Sequence, residues 1–96
     1  MVVEIDGKSI KNEKDFYIFL AKKVDFGIGY GENFHAFKDR LESDIERPLI
    51  VIWKNHQVSK TIMGERFDLI IKTMEDIKKD DEFFMPKGKR FLYMLK

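Results

Sequence analysis

The sequence predicts an α/β domain in which about four helices pack against a three-stranded parallel sheet. Two observations support this prediction: short apolar runs are spaced far apart along the chain, and the segments between them have helical periodicity. Strands separated by helical crossovers pair in parallel, with right-handed connections. Because 96 residues suit a single hydrophobic core, we interpret residues 1–96 as one domain.

The first part of the chain predicts a strand and then a helix. The run Val2–Ile5 is short and β-branched, and it predicts a strand over residues 1–5. Asn12, with Asp15 three positions later, marks a helix start, because such side chains accept hydrogen bonds from free N–H groups in the first turn. This helix ends before Gly27. Its predicted apolar stripe comprises Phe16, Leu20 and Val24.

A loop with glycines at positions 27, 29 and 31 separates this helix from a second one. Alternating glycines are poor helix material, so we expect a tight connector there. Asn33 can cap the helix that follows, whose apolar residues recur at the spacing of a single stripe. The stripe comprises Phe34, Phe37, Leu41 and Ile45.

The second half of the chain predicts a strand, two helices and a last strand. Arg47-Pro48 ends the second helix, because the residue before a proline disfavours the α region. Leu49–Trp53 lacks polar alternation, which predicts a central strand buried on both faces. Residues 55–63 are ambiguous and allow one or two helical turns, a long helix begins at Glu65, and a third strand covers residues 90–95. The long helix has Phe67, Ile70, Ile71, Met74 and Ile77 inward. Its end and a connector are marked by Asp80-Asp81 and Pro86-Lys87-Gly88.

Composition argues against several classes of function. A net charge of +1 gives no bulk attraction to nucleic acid or to an anionic membrane. The apolar runs are far shorter than the roughly 20 residues of a membrane span. The absence of cysteine removes thiolate metal sites and cysteine nucleophiles, and we expect no cofactor and no metal. Acids near the N-terminus do not fit a signal peptide, so a cytoplasmic protein is the default expectation.

Two chemical alternatives arise from the residues. His35 has Glu32 three positions before it and Asp39 four after it, so an acid–base pair could share one side of a helix. A solvated helix face is the plainer interpretation, and we favour it. Basic residues near the C-terminus interleave with Phe91 and Tyr93, as in some single-strand nucleic-acid binders, but these aromatics fall within a predicted strand.

The distribution of charge is more informative. Residues 25–46 carry six acidic residues against two basic ones, an excess of four negative charges. The second helix directs a charged flank away from its apolar stripe, and this flank comprises His35, Lys38, Asp39, Glu42 and Glu46. Such a face could dock a basic cleft through charge-assisted hydrogen bonds, although from charge alone we favour a solubilising surface.

Short motifs along the whole chain carry a family resemblance. They are Ile5-Asp6-Gly7, Tyr30-Gly31-Glu32-Asn33-Phe34, Ala36 with Asp39 and Leu41, Pro48-Leu49, Trp53, and Gln57-x-Ser59-Lys60. On these residues the sequence resembles the barstar family, the intracellular inhibitors of barnase-type ribonucleases. The resemblance implies a three-stranded parallel sheet packed with helices and a cis peptide bond before Pro48.

The resemblance also implies an interface on the second helix and the loop before it, where carboxylates stand in for RNA phosphates in the ribonuclease cleft. Asp39 stands at the position of the principal phosphate-mimicking carboxylate, and Asp76 keeps an acid where the family has a secondary glutamate. Gly31 and Asn33 match the binding loop and the helix start. Four interface positions depart from the family: Gly29 replaces a tyrosine, His35 a carboxylate, Lys38 an aromatic residue and Asp44 an aromatic residue.

We therefore expect a non-enzymatic protein-binding module that inhibits a small basic ribonuclease, without direct contact to nucleic acid or membrane. A monomer is expected, and no surface apolar stripe stands clear of the predicted core. The altered Gly29, His35 and Lys38 leave open a second hypothesis, a regulatory or scaffold module that binds a partner other than a nuclease.

Overall fold

The computed structural model describes residues 1–26, 30–43 and 45–96. Its strands are β1 (Val2–Asp6), β2 (Leu49–Lys54) and β3 (Phe91–Leu95), and they form a parallel sheet in the order β1-β2-β3. Its α-helices are α1 (Glu13–Lys23), α2 (Phe34–Ser43), α3 (His56–Met63) and α4 (Glu65–Phe84), and a short 3-10 helix covers Gly7–Ser9. The predicted α/β class, with a three-stranded parallel sheet and about four helices, is confirmed.

Two helix ends differ from the prediction, and one proline geometry agrees with it. Helix α2 ends at Ser43, so Ile45 and Glu46, which were predicted to lie on the second helix, fall beyond it. The ambiguous segment after β2 forms the two-turn helix α3. Helix α4 continues past Asp81 to Phe84, because the Asp81 side chain is buried and bonded within the fold instead of ending the helix. The peptide bond between Arg47 and Pro48 is cis, as the family resemblance implied.

The hydrophobic core lies on one face of the sheet. Leu49, Val51 and Trp53 of β2 are buried and point toward the helices. The Trp53 ring stacks on Phe16 of α1 with centroids 4.5 Å apart, and Phe67 of α4 meets the Trp53 ring edge-to-face at 5.1 Å. Aromatic pairs in these geometries add to the stabilisation from area burial, so β2 anchors both helices.

The opposite face of the sheet is open, and the prediction that β2 is buried on both faces is wrong. Ile50 and Ile52 are only half-buried, and Val2, Leu92 and Met94 on the neighbouring strands are 61%, 36% and 48% exposed. The fully buried side chains of β1 and β2 alternate with these residues and lie on the other face, toward the helices.

A close approach fixes the end of β1 against the start of α3. A Cβ atom on Gly7 would lie 2.2 Å from the Asn55 carbonyl oxygen and 2.6 Å from Ser59 Oγ. The same Ser59 hydroxyl accepts a hydrogen bond of 2.9 Å from Trp53 Nε1 in the buried interior. Only glycine fits at position 7, because any side chain would displace the backbone or this buried hydroxyl.

A buried ion pair connects α2, α4 and β3. Arg47 Nε lies 2.5 Å from Asp81 Oδ2, and both side chains are 10% exposed. The same carboxylate oxygen accepts the Phe91 N–H at 2.6 Å. The other guanidinium nitrogens donate to the carbonyls of Leu41 at 2.8 Å and Ile45 at 3.0 Å. Together these hydrogen bonds hold the end of α2 against α4 and the sheet.

Arg47→Ala is expected to lower the free energy of unfolding by about 3–5 kcal/mol, because the buried Asp81 carboxylate loses its cation. Lys60→Ala is the control, since the Lys60–Asp68 pair is solvent-exposed and exposed pairs add little stability. Urea unfolding followed by circular dichroism measures both variants. Equal losses in the two variants would contradict the role assigned to the buried pair.

Candidate functional site

Helix α2 is held on the core by aromatic side chains. The buried Phe37 ring lies 5.4 Å from Phe16 and 5.7 Å from Tyr17, both on α1. Leu41, one helical turn further along, is also buried. With one side of α2 packed in this way, the opposite side of the helix faces solvent in a fixed orientation.

The start of α2 has the predicted cap. Asn33 Oδ1 accepts the Ala36 N–H at 2.8 Å, and Asn33 Nδ2 donates to the Gly31 carbonyl at 3.2 Å. Glu32 has a left-handed backbone with φ of 51°, which turns the chain into the helix. The Asn33 side chain thus connects the preceding loop to the first turn of α2 and fixes where the helix begins.

The outward side of α2 carries four of the five residues of the predicted charged flank along one shallow groove, and the fifth, Glu46, lies beyond the end of α2. This groove is lined by Gly31, Asn33, His35, Ala36, Lys38, Asp39 and Glu42. Lys38 Nζ lies 2.7 Å from Glu42 Oε1. The hydrogen bond and charge of Glu42 raise the pKa of Lys38, and the charges of Asp76 and Asp39 add smaller contributions in the same direction. The lysine is therefore balanced by an acid on its own helix.

Asp39 is exposed on this outward side. Within the described part of the chain, its carboxylate makes no hydrogen bond and no ion pair, while its backbone carbonyl accepts a 2.7 Å hydrogen bond from the Ser43 hydroxyl. The side chain does not turn inward toward the core. Both carboxylate oxygens of Asp39 remain available to a binding partner.

Asp76 reaches the same region from another element. It lies on α4, exposed, and its carboxylate pairs with Lys72 Nζ at 3.0 Å. Its charge acts on Lys38 of α2, so the two helices bring acids to one surface although Asp39 and Asp76 are far apart in sequence. We refer to Asp39, Lys38, Glu42 and Asp76 as the α2 face.

The acid–base arrangement around His35, the alternative that the sequence analysis did not favour, does not form among the described residues, and His35 lies on a solvated helix face. The His35 ring is exposed and lies edge-on to the Phe34 ring, with ring centroids 5.8 Å apart. Among the described residues it makes no hydrogen bond to Glu32 or Asp39. The predicted site residues Gly29 and Asp44 lie outside the described residues.

The described part of the chain contains neither a cluster of metal ligands nor a helix that could span a membrane. Its His, Asp and Glu side chains form no group of three that could hold a metal ion. No helix in residues 1–26, 30–43 and 45–96 has the length and apolar character needed to cross a membrane.

One ion pair that contacts α2 was not predicted. Arg66, at the start of α4, donates hydrogen bonds of 2.8 and 2.9 Å to the two carboxylate oxygens of Glu13, and its guanidinium lies 5.5 Å from the Phe34 ring. These hydrogen bonds lower the pKa of Glu13, with burial opposing them. Arg66 and Glu13 are 53 positions apart, so no local pattern could have indicated the contact.

The fold and the α2 face define a class of protein: a small α/β domain that presents acidic side chains on a rigid, outward-facing helix. The family model described as "Barstar (barnase inhibitor)" matches residues 1–94. Over 81 residues the chain is 31% identical to the "Putative ribonuclease inhibitor YrdF" of Bacillus subtilis (strain 168), an alignment that covers 82% of this chain and 89% of that protein. The chain belongs to the barstar family, as its sequence motifs indicated.

Asn33→Ala is expected to lower the free energy of unfolding by about 1 kcal/mol, because the Ala36 N–H loses its side-chain acceptor. Asn33→Asp is the control, since a carboxylate can accept the same hydrogen bond and favours a helix N-terminus. Urea unfolding measures both. An equal loss in the two variants would show that the acceptor at position 33 is not what stabilises the start of α2.

Proposed function

We propose that this protein inhibits a small basic ribonuclease by placing the α2 face in the active-site cleft of the enzyme. The barstar family is described as that of barnase inhibitors, and the relative from Bacillus subtilis is named as an inhibitor of ribonuclease, which supports this general role. The observation that carries the mechanism is the exposed Asp39 carboxylate, which has no hydrogen-bond or ion-pair partner among the described residues.

The chemistry of such a cleft matches a carboxylate on a helix. A ribonuclease binds RNA phosphates through cationic side chains, and a carboxylate accepts the same charge-assisted hydrogen bonds that a phosphate accepts. Helix α2 is already fixed by Phe37 in the core and by the Asn33 cap. Little conformational freedom is therefore lost when the Asp39 side chain meets its partner.

The cation on the α2 face does not cancel this charge. Lys38 and Glu42 form a pair that is neutral as a unit, so the charge of Asp39 remains uncompensated beside it. An acidic surface also attracts a basic enzyme over longer distances and raises the rate of association. That contribution to the rate should weaken as ionic strength rises, because salt screens charges beyond roughly 10 Å.

Asp39→Asn is expected to raise the inhibition constant by at least about 100-fold, because the enzyme cations that Asp39 would meet are left buried without a charged partner. Glu4→Gln is the control: it removes an exposed acid from β1, on the far side of the core from α2, and should leave inhibition nearly unchanged. Barnase is the first enzyme to use, with cleavage of a fluorogenic RNA followed as inhibitor is added. If Asp39→Asn inhibits as tightly as the unchanged protein, Asp39 is not the anchor.

A second candidate function keeps the fold and changes the partner. His35 and Lys38 lie on the outward side of α2, at positions where the resemblance places a carboxylate and an aromatic residue, and such substitutions reset the specificity of an interface. Affinity capture with the unchanged protein and with Asp39→Asn separates the two functions. Retention of a basic ribonuclease that depends on Asp39 supports inhibition, whereas Asp39-dependent retention of a protein without nuclease activity supports a regulatory or scaffold module.

A further inference from the structure

Two adjacent phenylalanine rings lie in solvent at the end of α4. Phe83 is 83% exposed and Phe84 is 76% exposed, whereas the other apolar side chains of α4 are buried or half-buried. The two rings meet edge-to-face with centroids 4.9 Å apart. This pair adds little to the core, and aromatic side chains are enriched among the residues that carry most of the binding energy of an interface.

The end of α4 that presents these rings is held in place. Arg90 donates from Nε to the Met85 carbonyl at 3.0 Å and from Nη2 to the Glu82 carbonyl at 3.2 Å. The Met85 N–H donates to the Asp81 carbonyl at 2.8 Å, which closes the last turn. Basic side chains at a helix C-terminus satisfy carbonyls that lack a partner within the helix. Phe84 therefore projects from an ordered backbone, and little conformational freedom is lost when the ring is bound.

Phe84 borders the α2 face. The lining of a groove between the ends of α2 and α4 includes Glu42, Ser43, Asp80 and Phe84. Glu42 also lines the groove along the outward side of α2, so the two grooves are continuous. On α4, Asp76, Asp80 and Phe84 follow at intervals of four residues, which places them on one side of the helix. Phe84 thus extends the surface to which Glu42 and Asp76 belong.

This second groove carries little net charge, unlike the site around Asp39. Arg47 and Asp81, which also line it, are paired with each other. Asp80 and Lys89 contribute one charge of each sign. The exposed aromatic ring is therefore the distinguishing feature of this groove, and a partner would be recognised there by apolar contact.

We propose that Phe84 is a second anchor of the ribonuclease interface, inserting into an apolar pocket beside the active-site cleft while Asp39 enters the cleft. This inference rests on the proposed function. Stable interfaces bury about 800 Å² on each partner. The ten residues of α2 offer an outward side only about 15 Å long and 10 Å wide, so the contact has to extend onto neighbouring elements.

The two ends of α2 differ in what they offer to such an extended contact. Beside the start of α2, a groove that shares Asn33 and His35 with the α2 groove is lined by the rings of Tyr17 and Phe34. Tyr17 is buried and Phe34 is half-buried in the fold. Beside the end of α2, the Phe84 ring is mostly exposed, so this end presents the ring that a partner can enclose.

Phe84→Ala is expected to raise the inhibition constant for barnase about 10-fold, because an aromatic contact is lost. Met94→Ala is the matched control: it removes an exposed apolar side chain from β3, on the open face of the sheet, and should leave inhibition unchanged. Circular dichroism verifies that both variants are folded.

Stopped-flow measurements of association and dissociation distinguish the two anchors. Phe84→Ala should raise the dissociation rate and leave the association rate and its salt dependence unchanged, since the lost contact carries no charge. Asp39→Asn removes a charge, so it should also lower the salt dependence of association. Amide NMR shifts on adding barnase should include residues 82–85 as well as α2.

The outcomes separate this inference from the proposed function. If Phe84→Ala inhibits and dissociates like the unchanged protein while Asp39→Asn is weakened, Phe84 is not an anchor and the proposed function stands. NMR changes confined to α2, or equal weakening by Met94→Ala and Phe84→Ala, would also contradict the inference. If the unchanged protein does not inhibit barnase, the proposed function fails for this enzyme, and the contact assigned to Phe84 fails with it.

Discussion

The buried contact between Arg47 and Asp81 is the interaction on which the rest of the structure depends. It joins residues 34 positions apart and connects the segment after α2 to the late part of α4. A charge pair with so little exposure is stable only when the surrounding polar groups are also satisfied. Here the Phe91 N–H and the carbonyls of Leu41 and Ile45 satisfy them, so one cluster of hydrogen bonds sets where α2, α4 and β3 meet.

The orientation of the α2 face follows from that constraint and from the aromatic core. Arg47 holds the end of α2, Asn33 holds its start, and Phe37 fixes the side between them. With three points held, the helix has little freedom to rotate, and Asp39 projects from a defined position. A helix that was free to fray or rotate would spend part of its binding free energy on becoming ordered. Rigidity is therefore the property that makes an exposed acid useful for recognition.

Local signals in the sequence predicted the elements well, and non-local contacts account for what was missed. Asn33 and the apolar stripe after it indicated α2 correctly, because capping and periodicity act within a few residues. The apolar run in β2 could not show whether a second layer covers it, and Ile52 proved to face the open side. Asp80-Asp81 predicted the end of the long helix, but Asp81 is buried against Arg47, a distant partner that no local pattern indicates. Helical periodicity placed Asp39 on the outward side of the second helix. Its role as a phosphate-mimicking carboxylate was implied by the family resemblance alone and stays a proposal.

Placing the packed helices on a single side of the sheet divides the molecule into two chemically independent surfaces. Substitutions on the outer turn of α2 can change which partner is recognised without altering the outer side chains of the strands. The strand residues can likewise diverge without disturbing recognition, since a core of large buried rings such as Trp53 and Phe16 separates the two sides. Natural selection can therefore act on each surface separately, and relatives that share this fold can differ at one surface while they agree at the other.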